Sequence, residues 1–284
     1  MFHSTFQVKT DGSQDYARLV TYIQDMPEEI GIKKRPLILL CPGGGYEYTS
    51  ARESEPLAMQ FAAMGYHTAI LYYSCAPSRF PVQITELAGA VALIRKNAGE
   101  WGVDPNGIII QGCSAGGHLA ASYGCMWNED FVIDAVGCEN DRELLRPNGM
   151  ILCYPVITSG EYAHRGSFMA LLGEEHGNPG DKLCDSMSLE NLVNENTPPT
   201  FIWHTFEDGS VPVENSLYFA TALRENGIST ELHIFEKGGH GLSTADELTA
   251  GREGKEFQEH ASSWIGLVRG WLKERFPLTV CYKG

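Results

Sequence analysis

No stretch of this sequence approaches the ~20 consecutive apolar residues of a membrane-spanning helix. The opening Met1-Phe2-His3-Ser4-Thr5 has no cationic segment leading into an apolar one, so no secretory signal is expected. Positive charge is scarce: 21 Lys and Arg stand against 36 Asp and Glu, a formal net charge of −15. That balance argues against nucleic acid and against an anionic membrane surface as partners. Much of the acid falls between Glu129 and Glu195 and reads as a solvated face. The eight cysteines are scattered, with no Cys-x-x-Cys and no close pairs, so neither a zinc site nor a disulfide framework is indicated. There is no Asn-x-Ser/Thr either, and the expected setting is cytoplasmic. The absence of His-Glu-x-x-His disfavours a metal hydrolase, and that of Gly-x-x-x-x-Gly-Lys-Ser/Thr a nucleotide P-loop. No metal and no cofactor are expected.

What is present is ordinary material for a large core: 43% hydrophobic residues and 10% aromatic over 284 positions. Apolar runs alternate with helical patterns, which predicts an α/β fold with a mostly parallel central sheet and helices on both faces. Strands are expected at 36–41, 67–73, 108–111, 150–154, 200–205 and 231–235. Helices are expected at 54–64, 82–98, 213–226 and 256–274, with leading antiparallel strands in the first 30 residues. No linker or repeat divides the chain, so 1–284 reads as a single domain. The stretch 158–196 breaks the rhythm. It is rich in Gly, Glu and Asn, lies between two predicted strands, and is expected to form a small cap or lid over the site.

The most informative run is Gly107 to Ala121. An apolar strand, Ile108-Ile109-Ile110, enters Gly112-Cys113-Ser114-Ala115-Gly116, and a small-residue helix pattern leaves it. This strand–turn–helix context exposes a serine at the end of a sheet as a nucleophile. Side chains at 112 or 116 would crowd so sharp a turn. A serine hydroxyl needs a base, and the base needs an orienting carboxylate. His240, between Gly239 and Gly241 just beyond the 231–235 strand, is the preferred base among nine histidines. His118, four residues after Ser114, reads as a packed residue behind the site. For the acid, Asp208 follows the 200–205 strand, with Glu207 as its rival and Asp246 as a weaker one. Ser114, Asp208, His240 is the chain order expected of an α/β-hydrolase. The turn Pro42-Gly43-Gly44-Gly45-Tyr46 follows the 36–41 strand, where backbone N–H groups can approach a substrate closely. The predicted oxyanion donors are the N–H groups of Gly44, Gly45 and Ala115.

With these residues in view, the chain resembles the α/β-hydrolase serine esterases near the hormone-sensitive-lipase-like branch, and more closely the bacterial acetyl, xylan and feruloyl esterases. The resemblance rests on Cys41–Tyr46, Arg52-Glu53-Ser54-Glu55-Pro56, Gly112–His118, Pro198–Phe201, Asp208–Pro212 and Gly238–Gly241. It implies a serine carboxylesterase acting on small acyl esters, such as acetyl groups on sugars or xylo-oligosaccharides, and it favours Asp208 over Glu207. Many relatives carry His at the position of Pro42, which weakens any transfer of substrate preference from them. A homo-oligomer is compatible with the sequence. Two alternatives stay open: a prolyl-oligopeptidase-type peptidase, although 284 residues leave no room for its usual extra domain, and a non-catalytic ligand-binding protein on a hydrolase scaffold.

Overall fold

A computed structural model describes residues 1–280. Two antiparallel strands, β1 (Phe2–Gln7) and β2 (Arg18–Ile23), lead into β3 (Ile32–Cys41), α1 (Glu55–Ala63) and β4 (His67–Tyr72). Then come α2 (Val82–Lys96), α3 (Ala98–Trp101), β5 (Val103–Cys113), α4 (Ala115–Met126) and α5 (Asp130–Val136). The second half holds β6 (Gly149–Cys153), α6 (Arg165–Leu172), α7 (Lys182–Asp185), β7 (Thr200–Thr205), α8 (Glu214–Glu225) and β8 (Thr230–Phe235). It closes with α9 (Glu259–Ser262), α10 (Trp264–Arg275) and β9 (Thr279–Val280).

The sheet runs β1-β2-β4-β3-β5-β6-β7-β8, with β9 added to the start of β3. From β4 to β8 every pairing is parallel; β1 and β2 are antiparallel additions at one edge. Side-chain alternation assigns the two faces. In β3, Leu37, Leu39 and Cys41 join the core shared with α2 and α4, while Ile38 and Leu40 join the core shared with α1 and α10. In β5, Ile108 and Ile110 face one way and Ile109 the other. Burial on both faces explains why these strands read as continuous apolar runs rather than alternating ones.

The expected strands and most helices lie where the sequence places them. The 256–274 helix starts later: residues 251–258 form turns, and a short α9 precedes α10. The segment 158–196 contains α6, α7 and a 3-10 turn at Leu189–Asn191. Among the described residues, no helix is long and apolar enough to cross a membrane.

Candidate active site

Four parallel strands, β3, β5, β7 and β8, end on the same side of the sheet, and the loops after them carry every predicted site residue. Carboxyl ends of parallel strands are where open α/β sheets bind ligands. Ser114 sits between β5 and α4 with φ 54° and ψ −120°, a conformation L-residues rarely adopt. Its N–H donates to Cys153 O at the end of β6, and its own carbonyl accepts from Val156 N–H and His118 N–H. The flanking glycines are required by space. A Cβ on Gly112 would lie 2.2 Å from Gly116 O, and one on Gly116 would lie 2.0 Å from Cys41 O. The close approach of the elbow to the end of β3 is therefore a backbone-to-backbone contact.

Ser114 Oγ lies 2.7 Å from His240 Nε2, and His240 Nδ1 lies 2.6 Å from Asp208 Oδ2. Both distances suit hydrogen bonds, the first aligned for proton transfer from Ser114 to His240 and the second for holding the imidazole in place. The His240 loop is pinned to the end of β7, where Thr205 Oγ1 donates to Gly238 O at 2.9 Å. Asp208 is fully enclosed, and each oxygen has its donors: Ser210 N–H and Val211 N–H on Oδ1, both at 2.9 Å, and two histidines on Oδ2. Burial by itself raises this carboxyl's pKa. The hydrogen bonds from His204 and His240, the His240 charge and the Val211 N–H outweigh it and hold the group well below the usual carboxylate range. The rival acids lie elsewhere. Glu207 pairs with Lys237 Nζ at 2.8 Å on the surface, and Asp246 accepts from Thr244 Oγ1 and Leu248 N–H in its own turn.

His204 is the partner of Asp208 that sequence reading missed, because it lies inside β7 and reads there as core. Its Nε2 faces two acceptors, Asp208 Oδ2 at 3.2 Å and Val211 O at 2.9 Å, so that nitrogen carries the proton. Nδ1 lies 2.8 Å from Ser216 Oγ on α8 and accepts from that hydroxyl. The only advance signal was its spacing, four residues before Asp208.

The glycine turn is braced by Glu53, from the 3-10 turn Ala51–Glu53. Glu53 Oε2 accepts the Gly43 N–H at 2.8 Å, and a Cβ on Gly43 would meet that oxygen at 2.7 Å. Gly44 and Gly45, with φ of 129° and 66°, form part of the cavity wall beside Ser114. Ala115 is buried and is not part of that wall; its N–H is at the first turn of α4, where helix donors lack an intrahelical acceptor. Tyr46, Tyr73 and Tyr154 are core residues. Tyr73 OH donates to Pro42 O at 2.6 Å, and Tyr46 OH lies 2.9 Å from His118 Nδ1. Burial pushes the His118 pKa down to about 4, so it packs as a neutral ring. Tyr154 sets its ring edge-on to His240, with centroids 5.2 Å apart.

The cavity over Ser114 and His240 has a volume of about 350 Å³. Its wall contains glycines, serines, charged groups, two histidines and one tyrosine, and no aliphatic side chain. His164 and Gly166 bring the 158–196 segment into that wall. Among the described residues, no group of three or more His, Cys, Asp or Glu is arranged to hold a metal ion.

Comparison with known proteins agrees with this architecture. Over 233 residues, 79% of this chain, it is 40% identical to endo-1,4-beta-xylanase B of Butyrivibrio fibrisolvens, covering 35% of that protein. It is 28% identical to an acetylxylan esterase of Xylanibacter ruminicola over 84% of this chain and 45% of the relative. The chain thus spans less than half the length of these two curated relatives. Among solved structures, the acetyl ester-xyloside bifunctional hydrolase of Caldicellulosiruptor lactoaceticus matches with a TM-score of 0.78 and 37% identity, covering 93% of this chain and 89% of that one. The fold is that of the α/β-hydrolases. The BD-FAE family model matches residues 25–223, and the chain belongs to that family.

Proposed function

We propose that this chain is a serine carboxylesterase that hydrolyses small acyl esters, chiefly acetyl esters of sugars or xylo-oligosaccharides, through an acyl-enzyme. The observation that carries the reading is the unbroken hydrogen-bond chain from Ser114 Oγ through His240 to Asp208, at the floor of a polar cavity. Ser114 Oγ attacks the ester carbonyl while His240 Nε2 takes its proton. The N–H groups of Gly44, Gly45 and Ala115 receive the developing oxyanion. His240 then protonates the departing alcohol oxygen, and Asp208 holds the imidazole tautomer and offsets its positive charge. Water, deprotonated by the same histidine, releases the acid.

The substrate class is supported by the relatives, which include an acetylxylan esterase and an acetyl ester-xyloside hydrolase. It is also supported by the cavity wall, which has no aliphatic side chain for a long acyl chain to pack against. The connected nucleophile, base and acid argue against a non-catalytic binding protein, and none of the relatives named above is a peptidase. The chain acts as one domain, with 158–196 as a cap contributing His164 and Gly166 to the wall. A small-molecule ester is the partner this chemistry requires. The seven described cysteines are buried and unpaired, which supports a reducing, cytoplasmic setting.

The test is hydrolysis of p-nitrophenyl acetate by the wild type and by Ser114→Ala. Turnover that falls at least a thousandfold in the variant is expected. No turnover by the wild type, or turnover indifferent to Ser114, would overturn the assignment.

A further inference from the structure

His164 makes no hydrogen bond to Ser114, His240 or Asp208, yet it stands in the cavity wall with Ser114 and His240. It is the N-cap of α6. Its Nδ1 accepts the Ser167 N–H at 3.3 Å and lies 2.9 Å from Ser167 Oγ. A ring nitrogen that accepts a backbone N–H carries no proton, so a neutral His164 must carry its single proton on Nε2. The ring is neutral at pH 7: burial lowers its pKa and the His240 charge lowers it further, with Asp208 and Glu47 opposing. Within the described residues no hydrogen bond engages Nε2. A cap thus fixes the tautomer and leaves a donor for whatever fills the cavity.

Two neighbours complete a recognition surface. Glu47 and Tyr48 line the same cavity, and Tyr48 is 62% exposed. His240 must protonate the leaving oxygen, so the alcohol half of an ester lies beside His240. His164 and Glu47 line the same cavity as His240, the group that serves the leaving oxygen.

The geometry points to an alcohol-half subsite, formed by His164 with Glu47 and Tyr48, that takes a hydroxyl-bearing ring such as a pyranoside. A sugar hydroxyl both donates and accepts, matching Glu47 and His164 Nε2–H, while the C–H face of a pyranose suits an exposed aromatic ring. This inference rests on the esterase reading and adds the residues that select its alcohol.

The experiment compares kcat/KM for a mono-O-acetylated methyl xyloside with that for cyclohexyl acetate, a ring of similar size without hydroxyls. His164→Asn is the informative variant, because Asn is a good N-cap and keeps α6 anchored while withdrawing the distal donor. The xyloside-to-cyclohexyl ratio is expected to fall about tenfold, the effect of losing one hydrogen bond to a neutral donor. Glu47→Gln, on an exposed residue, provides a second variant should the first fold poorly, and its ratio is expected to fall as well. An unchanged ratio in both variants with ester turnover intact overturns the subsite alone. If the wild type hydrolyses no ester, the esterase reading fails and the subsite falls with it.

Discussion

Glu53 Oε1 accepts a hydrogen bond of 2.7 Å from the Tyr154 hydroxyl, and both side chains are buried. The same hydroxyl accepts the Ser243 N–H at 2.9 Å, and the other Glu53 oxygen holds the Gly43 N–H. Next to Glu53, Arg52 donates to Gly241 O at 2.8 Å and to Thr249 O at 2.7 Å. The short turn at Ala51–Glu53 therefore ties the glycine turn after β3 to the loop that carries His240. These loops are about 200 residues apart in sequence, and one pair of consecutive side chains fixes their spacing.

Removing the Tyr154 hydroxyl tests that tie. Tyr154→Phe leaves the Ser243 N–H without its acceptor and Glu53 Oε1 without its donor, at a cost of about 1–3 kcal/mol for the stranded groups. A lower melting temperature is expected, together with a fall in kcat that exceeds the change in KM, because the ring also packs on His240. Wild-type melting and turnover in this variant would show that the two loops are held by other contacts.

The elbow stores backbone strain at Ser114. A non-glycine residue at φ 54° and ψ −120° costs about 1–3 kcal/mol. Ser114→Gly relieves that cost, offset in part by the flexibility glycine adds to the unfolded chain. Compared with Ser114→Ala, which also lacks the hydroxyl, the glycine variant should melt at a higher temperature. Both should be inactive. Equal melting of the two would mean that the strain is absorbed elsewhere.

Asp208 sets a pH dependence with a definite sign. Its folded-state pKa lies below the ordinary value of 3.8, so the stability it contributes is complete above that value. That contribution is lost as pH falls below 3.8 toward the folded pKa, because the unfolded state binds the proton first. Asp208→Asn should lower kcat by about four orders of magnitude through loss of the tautomer-holding carboxylate. The gap in unfolding free energy between wild type and variant should narrow as pH drops below 3.8. A constant gap from pH 6 to pH 3 would contradict the hydrogen-bonded ionised carboxylate.

The legibility of this chain in its sequence was uneven, for physical reasons. The parallel strands were readable because burial on both faces makes them continuous apolar runs bounded by turns. The elbow was readable because only glycine tolerates 2.0–2.2 Å proximity of a Cβ to backbone oxygen, so chemistry forces a visible pattern at 112 and 116. Asp208 was separable from Glu207 only by analogy, since adjacent acids share every local signal and differ in the direction their side chains take. His204, Glu53 and Tyr154 gave no site signal at all. Their roles come from contacts across the fold, and a buried polar residue in a strand looks the same whether or not it holds a carboxylate. His164 gave no signal either, because it lies in the irregular 158–196 segment, which has no periodicity to read, and the rest of its cavity comes from loops distant in sequence.

Gly116→Ala provides the strictest test of the elbow packing. The added methyl would lie 2.0 Å from Cys41 O and 2.5 Å from Pro42 O, both backbone atoms that cannot swing aside. Relief requires moving α4 away from β3, and with it the glycine turn opposite Ser114. Loss of soluble expression or of at least 5 °C in melting temperature is expected, with activity lost in any folded fraction. A stable and active variant would disprove the close approach.

The composition of the cavity wall makes a prediction about acyl length. In an apolar pocket each added methylene contributes about 0.8 kcal/mol of binding, so six of them, from acetate to octanoate, would amount to about 5 kcal/mol. Here the wall over Ser114 has no aliphatic side chain, and the volume of about 350 Å³ must also hold the alcohol half. The added methylenes would remain against water or displace it from polar groups that then lose their hydrogen bonds. Across p-nitrophenyl acetate, butyrate and octanoate, kcat/KM should therefore decline with length, by tenfold or more at octanoate. A rise with chain length would require an apolar channel opened by movement of residues 158–196. Replacing that segment would then have to abolish the rise while leaving hydrolysis of the acetate measurable.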